Sequence, residues 1–422
     1  MKNKQKSKGL VPRLRFPGFQ GEWGLKLLGD VSERIVEKVG NKNLTQVSIT
    51  AGRGFVSQVE KFGRDISGKQ YKNYIRLRRG DFSYNKGNSK SFPQGCVCRL
   101  KEFDEVAAPN AFISFHLHES YVPEFIEALF DKNIHGLQLK KFITSSARSD
   151  GLLNVSPKEF FSLNLPIPRE LAEQQRIADC LSSLDDLIAA EGRKLEALRA
   201  HKKGLMQQLF PREGETVPRL RFPGFRGEWE KCTIGDVASL KNGYAFKSST
   251  YVEKGDYRIV TISNVQSGWL NLETTKYLKK IPTDIQRHQI LKIDDILISM
   301  TGNVGRVCRV TEVNLFLNQR VGKIVPQNIR NSFLYQLLLK DEFRKSMEMN
   351  AEGGAQGNLS SKTIASFLIL RPTNELEQQR IADCLSSLDD LITAQARKVE
   401  LLKKHKKGLM QQLFPVMEEA GG

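Results

Sequence analysis

The 422-residue chain is poor in the residues that build metal centres and disulfide frameworks, and it has no long apolar run. Its six cysteines are scattered, and Cys96 and Cys98 form a C-x-C with no second pair, so neither a zinc site nor a disulfide framework is expected. A lone H-x-H at His116 and His118 predicts no metal site. No stretch of about 18 apolar residues occurs, which argues against a membrane span. Because the basic N-terminus also lacks the apolar core of a signal peptide, we expect a cytoplasmic protein.

The sequence also lacks the common catalytic motifs. It contains no G-x-x-x-x-G-K-[ST] phosphate loop, no Asn-Pro-Pro-aromatic string of the kind found in methyltransferases and no nucleophile elbow. Its six histidines have no companions at the spacing of metal ligands or of a catalytic triad. We therefore expect no enzymatic activity from this chain alone, and no cofactor or metal bound by it.

Positive charge is what the chain has in excess. It carries 65 Lys and Arg against 47 Asp and Glu, for a formal net charge of +18 and a sequence pI of about 9.6. A strongly basic protein usually meets a polyanion, and nucleic acid is the commonest one. The alternative is a basic protein whose charge serves only solubility.

A tandem duplication organises the chain. The string E-Q-Q-R-I-A-D-C-L-S-S-L-D-D-L-I runs from Glu173 to Ile188 and recurs letter for letter from Glu377 to Ile392. The string H-K-K-G-L-M-Q-Q-L-F-P follows each copy at the same offset, at 201–211 and 405–415. A third block, V-P-R-L-R-F-P-G-F, begins at Val11 and again at Val217. Repeats of this kind decide the architecture before any local pattern does.

Each long repeated segment is predicted to be a helix of about 37 residues, about 55 Å long. Its apolar residues recur every 3 or 4 positions, the pattern of a helix that packs along a partner helix. We expect the two helices to pack on each other, antiparallel; the alternative is two unrelated amphipathic core helices. Polar residues interrupt both stripes in register, at Glu191 and Lys202 and at Gln395 and Lys406, and could fix the pairing register. The predicted pairing residues are Ile177, Leu181, Leu184, Ile188, Leu195, Leu198, Ile381, Leu385, Leu388, Ile392, Val399 and Leu402.

Two variable domains lie between these repeated parts. Short β-type runs alternate with turn signals in the first domain, followed by a helical stretch from Val122 to Phe130, and the second domain repeats this plan with a helix around Phe333 to Phe343. The predicted class is therefore α+β: two pseudo-symmetric domains joined by two long coiled-coil helices. The predicted boundaries are an N-terminal arm and lead-in (1–24), a first domain (25–168), a central helix (169–211), a second lead-in (212–230), a second domain (231–372), a C-terminal helix (373–415) and a tail (416–422).

The helices and lead-ins are nearly identical, while the domains between them diverge. This contrast is expected if the repeated frame meets one common partner twice while each domain recognises something different. Recurrence of the lead-in before both domains suggests that it docks each domain onto the helices. For Arg13 and Arg15 of the first lead-in we favour such packing over contact with DNA.

This layout resembles the specificity subunit of type I restriction–modification systems, over nearly the whole chain. The strings that carry the resemblance are E-Q-Q-R-I-A at Glu173 and Glu377 and, in the second domain, K-N-G-Y-A-F-K (241–247), I-S-M-T-G-N-V-G (298–305) and G-G-A-Q-G-N-L-S (353–360). The first domain departs from this phrasing, with Y-N-K-G-N at 84–88 and S-A-R-S-D-G at 146–151.

The resemblance implies a non-catalytic subunit whose two target-recognition domains each read one half of a bipartite double-stranded DNA site, with the paired helices setting the gap. It implies a complex with two modification subunits, which methylate adenine, and two restriction subunits, which use ATP to translocate and cut DNA. S-adenosylmethionine, ATP and Mg would then belong to those partners.

Base reading needs Arg, Lys, Asn or Gln on loops that can enter a groove. On this ground we expect the loops of the second domain to contact DNA through Lys241, Asn242, Tyr244, Lys247, Asn303, Arg306, Asn318, Gln319, Arg320, Gln356 and Asn358. By rough positional match, the first domain would use Arg53, Tyr84, Lys86, Asn88, Lys90, Asn110 and Arg148. Gly302, Gly305 and Gly357 would let the backbone approach DNA closely. The alternative for each residue is turn formation or a solvated surface.

Two other functions compete with this interpretation. One is a free-standing two-domain DNA-binding protein such as a repressor, which the chain fits less well because it has no recognisable helix-turn-helix. The other is a coiled-coil scaffold that joins two protein-binding domains. Steeply salt-dependent DNA affinity would separate the DNA-binding functions from the scaffold.

Overall fold

The computed structural model describes residues 10–50, 52–64, 68–87, 92–143, 153–351 and 357–417. The chain divides into two compact units. Unit 1 comprises Met1–Gly192 and Lys398–Gly422, and unit 2 comprises Arg193–Arg397. Each unit therefore contains one variable domain, the first half of the long helix that follows it in the sequence, and the second half of the other long helix.

Unit 1 is built on two four-stranded sheets, in the orders β2-β9-β6-β7 and β4-β3-β8-β5, and on a short β1-β10 ladder. Its strands are β1 (Gly24–Leu27), β2 (Ser32–Arg34), β3 (Thr45–Thr50), β4 (Gly54–Ser57), β5 (Ile75–Arg78), β6 (Phe82–Asn85), β7 (Cys96–Arg99), β8 (Glu105–Ala108), β9 (Ile113–Leu117) and β10 (Asn164–Ile167). Its short helices are α1 (Leu28–Val31), α2 (Gln58–Phe62), α3 (Pro123–Asp131), α4 (Ile134–Leu139) and α5 (Pro157–Phe161).

The two long helices are α6 (Leu171–Leu209) and α11 (Glu375–Leu413), each of 39 residues. Asn374 caps α11, because its Oδ1 accepts the backbone N–H of Leu376 at 2.9 Å and thereby satisfies a donor that has no partner within the helix. The predicted pair of long helices is confirmed. Of the twelve predicted pairing residues, six are buried and six half-buried, and none is exposed.

Unit 2 repeats the plan of unit 1. Its sheets run β12-β21-β18-β19 and β13-β17-β14-β20, with two-stranded ladders β11-β22 and β15-β16. Its strands are β11 (Glu230–Thr233), β12 (Ala238–Asn242), β13 (Tyr251–Val252), β14 (Tyr257–Val260), β15 (Val265–Gln266), β16 (Trp269–Leu270), β17 (Lys276–Leu278), β18 (Ile296–Ser299), β19 (Val307–Arg309), β20 (Leu315–Leu317), β21 (Val321–Pro326) and β22 (Leu368–Arg371). Its short helices are α7 (Ile234–Val237), α8 (Asn331–Leu338), α9 (Asp341–Met349) and α10 (Ser361–Ala365).

The first sheets of the two domains, β2-β9-β6-β7 and β12-β21-β18-β19, share strand order and register. The second sheets differ at one edge, where β5 borders β8 in unit 1 and β13 borders β17 in unit 2. Tyr84 of β6 lies opposite Val97 of β7, as Ile298 of β18 lies opposite Val307 of β19. In each domain one pair of strands is parallel, β3 with β8 and β14 with β20. The α+β class and the pseudo-symmetry predicted from the sequence are therefore confirmed, although the sequences of the two domains have diverged.

One secondary-structure prediction needs correction. The sequence between Phe333 and Phe343 predicts a single helix, but the structure has two, α8 and α9. The helical backbone is interrupted at Lys340, which is extended at φ −62° and ψ 141°. The break suits the residues that follow it, because Asp341 and Glu342 occupy the first turn of α9, where acidic side chains interact favourably with the helix dipole.

Ion pairs at the polar interruptions join the helices within each unit. In unit 1, Lys406 Nζ lies 2.6 Å from Asp185 Oδ1, and Lys398 Nζ lies 2.5 Å from Glu191 Oε1. From the first pair to the second, the residue number on α6 rises from 185 to 191 while that on α11 falls from 406 to 398. These helix segments are therefore antiparallel. In unit 2, Lys202 Nζ lies 2.6 Å from Asp389 Oδ1. At three of the four predicted polar positions, a charged side chain is thus paired with one on the other helix.

The repeated lead-in docks on the repeated helix through one buried carboxylate. In unit 1, Arg15 donates Nε and Nη2 to the two oxygens of Glu173, at 2.8 and 2.7 Å. Trp23 Nε1 also donates to Glu173. In unit 2, Arg221 makes the same forked pair with Glu377, at 2.8 and 2.9 Å. The glutamate of E-Q-Q-R-I-A therefore fastens the chain that enters each variable domain.

The second residue of that motif fastens the domain itself. Gln174 Oε1 accepts the backbone N–H of Val122, just before α3, at 3.2 Å. Gln378 Oε1 accepts the backbone N–H of Arg330, just before α8, at 2.9 Å. Both glutamines are buried. The motif thus fixes the orientation of each variable domain on its own helix, and thereby the orientation of the exposed loops of that domain.

Candidate DNA interface

Four loops of unit 2 meet at the ends of β12, β18 and β20, the first of them starting with the last two residues of β12. Tyr244 donates its backbone N–H to the Leu317 carbonyl, and Gln319 donates to the Tyr244 carbonyl. The backbone N–H of Met300 donates to the carbonyl of Arg320 at 3.1 Å. These bonds tie residues 241–247, 300–306 and 318–320 together.

The fourth loop joins through residues 300 and 302. Leu359 donates its backbone N–H to the Met300 carbonyl at 2.8 Å, and Gly302 donates to the Gly357 carbonyl at 3.2 Å. We call residues 241–247, 300–306, 318–320 and 357–359 the loop cluster of unit 2. The three separate strings that carry the family resemblance in the second domain thus meet at one place in the fold.

The loop cluster exposes a set of hydrogen-bonding side chains. Its exposed polar members with long or amide side chains are Lys241, Asn242, Lys247, Asn303, Gln319, Arg320 and Asn358. Asn and Gln amides can form paired hydrogen bonds with adenine, and Arg or Lys can do so with guanine. The exposed set therefore has the chemistry for reading base edges. Gln356 lies outside the described residues.

Three other predicted residues of unit 2 are less exposed. Tyr244 is half-buried, and its hydroxyl donates to Asp284 Oδ1 at 2.8 Å, a bond that raises the pKa of the tyrosine. Asn318 is 9% exposed, and its Oδ1 accepts the backbone N–H of Arg320. Arg306 is half-buried and donates Nη1 to Gln266 Oε1 at 2.8 Å. Tyr244 and Asn318 support the loops on which the exposed side chains stand.

The glycines of the cluster mainly serve packing. A Cβ on Gly243 would lie 2.2 Å from the Asn318 carbonyl oxygen, so only glycine lets these two loops come so close. Gly305 has φ +75°, and a Cβ there would lie 2.7 Å from Met347 Cβ. Gly305 is buried, so the prediction that it lets backbone approach DNA is wrong. Gly302, with φ +69°, is exposed.

Equivalent loops lie at the same place in unit 1. Asn110 is exposed and follows β8 as Gln319 follows β20. Lys86 follows β6, is half-buried and accepts the backbone N–H of Leu153 through its own carbonyl, at 2.9 Å. Arg53 occupies the exposed turn after β3 and pairs with Glu60 at 2.7 Å. The predicted residues Asn88, Lys90 and Arg148 lie outside the described residues.

The prediction that Tyr84 contacts DNA is wrong. Its side chain is fully buried, with its ring stacked on Phe160 at 4.6 Å between centroids and its hydroxyl donating to the Gln94 carbonyl at 2.8 Å. Burial raises the pKa of the hydroxyl. Tyr84 stands where Ile298 stands in unit 2, at an inward-facing position of the central strand. Its hydroxyl instead supports the turn that carries Gln94.

Two residues that help to shape these loops were not predicted from the sequence. Asn85 donates Nδ2 to the Ile49 carbonyl at 3.2 Å and accepts the Gly87 N–H at 2.9 Å, so it joins the loop after β6 to the end of β3. Gln266 holds Arg306 from a hairpin that has no counterpart among the described strands of unit 1. An amide just after a predicted strand was the available signal for Asn85. Gln266 lies 40 residues from its partner in sequence, so no local pattern indicates it.

The described residues contain no group of three or more His, Cys, Asp or Glu side chains that could hold a metal ion. Likewise, no helix in the described ranges is long and apolar enough to cross a membrane. The chemistry that the loop clusters offer is hydrogen bonding and positive charge.

Comparison with known proteins assigns the family. A family model described as the type I restriction modification DNA specificity domain matches residues 110–200 and 226–404, which is more than half of the chain. The chain belongs to this family. Specificity subunits are the non-catalytic, DNA-recognising components of type I restriction–modification systems, so family membership confirms the expectation that this chain is not itself an enzyme.

Curated relatives carry the same description. The chain is 28% identical over 292 residues to the type I restriction enzyme MjaVIII specificity subunit of Methanocaldococcus jannaschii, covering 66% of this chain and 68% of that one. It is 29% identical over 173 residues to the type I restriction enzyme EcoAI specificity subunit of Escherichia coli, covering 39% of this chain and 28% of that one.

Solved structures share the fold. A type I restriction–modification S subunit from M. genitalium matches with a TM-score of 0.63 at 16% identity, covering 97% of this chain and 100% of that one. A chain from a study of complex assembly and conformational transition in the type I R-M system matches with a TM-score of 0.52 at 17% identity, covering 96% and 99%.

Proposed function

We propose that the chain directs a type I restriction–modification complex to a bipartite double-stranded DNA site, with each variable domain reading one half and α6 and α11 setting the gap. The observation that carries this proposal is the convergence of four separate loops of unit 2 into one exposed polar cluster. Equivalent loops recur in unit 1 with different residues. Two reading surfaces of the same architecture and different chemistry suit a target whose halves differ.

The proposed contacts divide by chemistry. Asn242, Asn303, Gln319 and Asn358 present amides that can read base edges, while Lys241 and Lys247 suit phosphate oxygens. In unit 1 the corresponding set is Arg53, Lys86 and Asn110, together with Asn88, Lys90 and Arg148 by sequence position. Tyr84 is removed from the set because it is buried. The net charge of +18 would add affinity for the phosphate backbone whatever its sequence.

The proposed partners are two modification subunits, which methylate adenine, and two restriction subunits, which translocate and cut DNA. S-adenosylmethionine, ATP and Mg would be bound by those subunits, and the complex would act on DNA in the cytoplasm. Support comes from identical residues that the fold leaves exposed on both helices: Asp186 and Leu187 in one copy, Asp390 and Leu391 in the other. Folding alone does not require exposed residues to be identical, whereas binding the same partner at two sites requires the same exposed residues at both.

A domain exchange tests the proposal. Residues 231–372 are replaced by the corresponding domain of another specificity subunit, and adenine methylation is mapped in cells that also express a modification subunit shown to co-purify with both chains. The expected result is a new half-site beside an unchanged one. The reciprocal exchange of residues 25–168 is the matched control and should change only the other half. A change of both halves by either exchange would contradict the one-domain, one-half proposal.

A further inference from the structure

Arg306 differs from Arg258 and Arg309 of the same unit in how its side chain is held. It follows Gly305 in the loop cluster of unit 2 and is half-buried. Among the described residues, no carboxylate lies within ion-pair distance of its guanidinium. By contrast, Arg309 approaches Asp294 and lies over the ring of Tyr335, and Arg258 is paired with Glu312. Arg306 therefore keeps its charge uncompensated at the edge of the loops.

The backbone of Arg306 is fixed. Its N–H donates to Ser299 Oγ at 3.0 Å, and its carbonyl accepts the Ser299 N–H at 3.0 Å. Ser299 Oγ in turn donates to the Asn303 carbonyl at 2.6 Å. These bonds close the turn between β18 and β19, so the side chain leaves the sheet from a defined point.

One amide fixes the side chain as well. Arg306 Nη1 donates to Gln266 Oε1 at 2.8 Å, while Gln266 Nε2 donates to the Ser263 carbonyl at 2.8 Å. The second bond settles which end of the amide faces Arg306, because only the nitrogen can donate to a carbonyl. Gln266 thus uses one N–H of the guanidinium and leaves the other four donors of the fork available.

The hairpin that carries Gln266 is itself anchored on two sides. Gly268, at its tip, donates its N–H to the Val307 carbonyl at 2.8 Å, and its own carbonyl accepts the Tyr335 hydroxyl at 3.0 Å. A neutral acceptor on an anchored element orients a guanidinium without neutralising it. A carboxylate in the same place would compete with DNA for the charge.

At the equivalent position, unit 1 has a cysteine in place of this arginine. The registers of β7 and β19 place Cys96 where unit 2 has Arg306, since both residues follow a glycine of φ +75° and precede the paired valine. Cys96 is buried beside Cys98. The position therefore offers a rigidly held guanidinium in one domain and a thiol in the other.

We propose that Arg306 reads a guanine in the half-site of unit 2 through its guanidinium fork, and that Gln266 is the positioning residue that orients that fork. A fixed, unneutralised guanidinium suits the two adjacent acceptors on the major-groove edge of guanine. This inference rests on the proposed function, because it names one base contact within the same reading surface.

The test maps adenine methylation for the full chain co-expressed with its modification subunit, comparing wild type with Arg306→Lys and Gln266→Met. Lysine keeps the charge and loses the fork, and methionine keeps the size of glutamine and loses the acceptor. We expect the preference for one guanine in the unit 2 half-site to fall about 10- to 100-fold for Arg306→Lys. For Gln266→Met the preference for guanine at the same position should also weaken. The other half-site should stay unchanged in both variants.

Gln327→Met is the matched control, because Gln327 is exposed in unit 2 and lies outside the loop cluster. It should leave the motif intact. A uniform loss of methylation at an unrelaxed motif would mean that Arg306 contacts phosphate or only supports the fold, and would overturn the inference. So would relaxation by the control, or a unit 2 half-site without a guanine. If wild type gives no split motif at all, the proposed function itself fails.

Discussion

Arg221 shows at the scale of one residue how the repeated sequence holds the fold together. Its forked pair with Glu377 is almost fully enclosed, with side-chain exposures of 15% and 2%. Removing one member of a buried ion pair leaves the other charge buried without compensation. The pair between lead-in and helix recurs in both units, and its recurrence thus has a structural reason that is independent of DNA.

Arg221→Met should therefore lower the free energy of unfolding by about 3–5 kcal/mol. Arg219→Met is the matched control, since Arg219 lies two residues before Arg221 and pairs with Glu215 at side-chain exposures of 53% and 35%. That change should cost less than about 1 kcal/mol. Urea denaturation of the three proteins measures both values. Equal losses for the two variants would contradict a buried clamp.

His135 provides a pH-dependent test of the core of unit 1. Its ring bonds to the Gly95 carbonyl at 3.2 Å, and burial lowers its pKa to about 4, from an ordinary value of 6.5. Between these two pH values the unfolded chain binds a proton that the folded chain does not. The histidine's contribution to stability is therefore complete above about pH 6.5 and is lost as the pH falls towards 4.

His135→Gln retains a donor for Gly95 and removes the titration. Wild type should lose about 3 kcal/mol more than this variant when the pH falls from 7 to 4, which follows from about 1.4 kcal/mol per pKa unit. Asp131, whose pKa burial raises to about 6, contributes the opposite slope in both proteins and so cancels in the comparison. Denaturant titrations at several pH values provide the measurement, and parallel curves for the two proteins would refute the assignment.

At the scale of single residues, the sequence indicated which side chains can reach solvent. Lys241, Asn242 and Asn358 are exposed, as DNA contact requires, and their contact with DNA stays a prediction. Prediction failed for Tyr84, because alternation along a strand does not say which face is inward when both neighbours are polar. It missed Gln266 because that contact spans two elements distant in sequence.

At the scale of elements, the two long helices were the most predictable part of the chain. Their 3.5-residue period indicates a helix that packs along another helix, and their repetition indicates that the two pack on each other. The short elements were less predictable, as the break between α8 and α9 shows, because eight or nine residues carry too little pattern to fix a boundary. The sequence also did not reveal which acidic residues pair with the polar interruptions.

The ion pair of Lys202 and Asp389 is predicted to help fix the helix register in unit 2. Gln336 Nε2 also donates to Asp389 at 2.8 Å, so α8 shares the same carboxylate. A double-mutant cycle with Lys202→Met and Asp389→Asn should give a coupling energy of about 1–3 kcal/mol. The equivalent cycle on Lys406 and Asp185, where Asp185 is 57% exposed, should give less than about 1 kcal/mol. The reverse order would contradict the register role.

The proposed role of the helices in setting the gap has its own test. One heptad is added to both α6 and α11 at the points where the compact units divide them. Seven helical residues add about 10 Å, which matches about three base pairs of DNA. The gap in the methylated motif should lengthen by about that number while both half-sites stay the same. An unchanged gap in a folded variant would refute the ruler role.

At the scale of the whole molecule, the architecture follows from duplication followed by divergence. The repeated frame retained its buried clamps and its exposed identical residues. The first sheet of each domain retained strand order and register, while the loops changed. Sequence alone indicated this division, since identity between the copies stops at the domain boundaries. The bases that are read depend on the three-dimensional geometry of the loops, which spacing rules do not determine.

If this chain gives a type I complex its two-part DNA target, the target will be visible in the methylation of the genome. The decisive measurement is genome-wide mapping of adenine methylation in cells that co-express the chain with a modification subunit shown to associate with it. We expect one split motif, with an undefined gap of fixed length and one methylated adenine in each half, on opposite strands. Stable association without any new methylated motif would contradict this expectation.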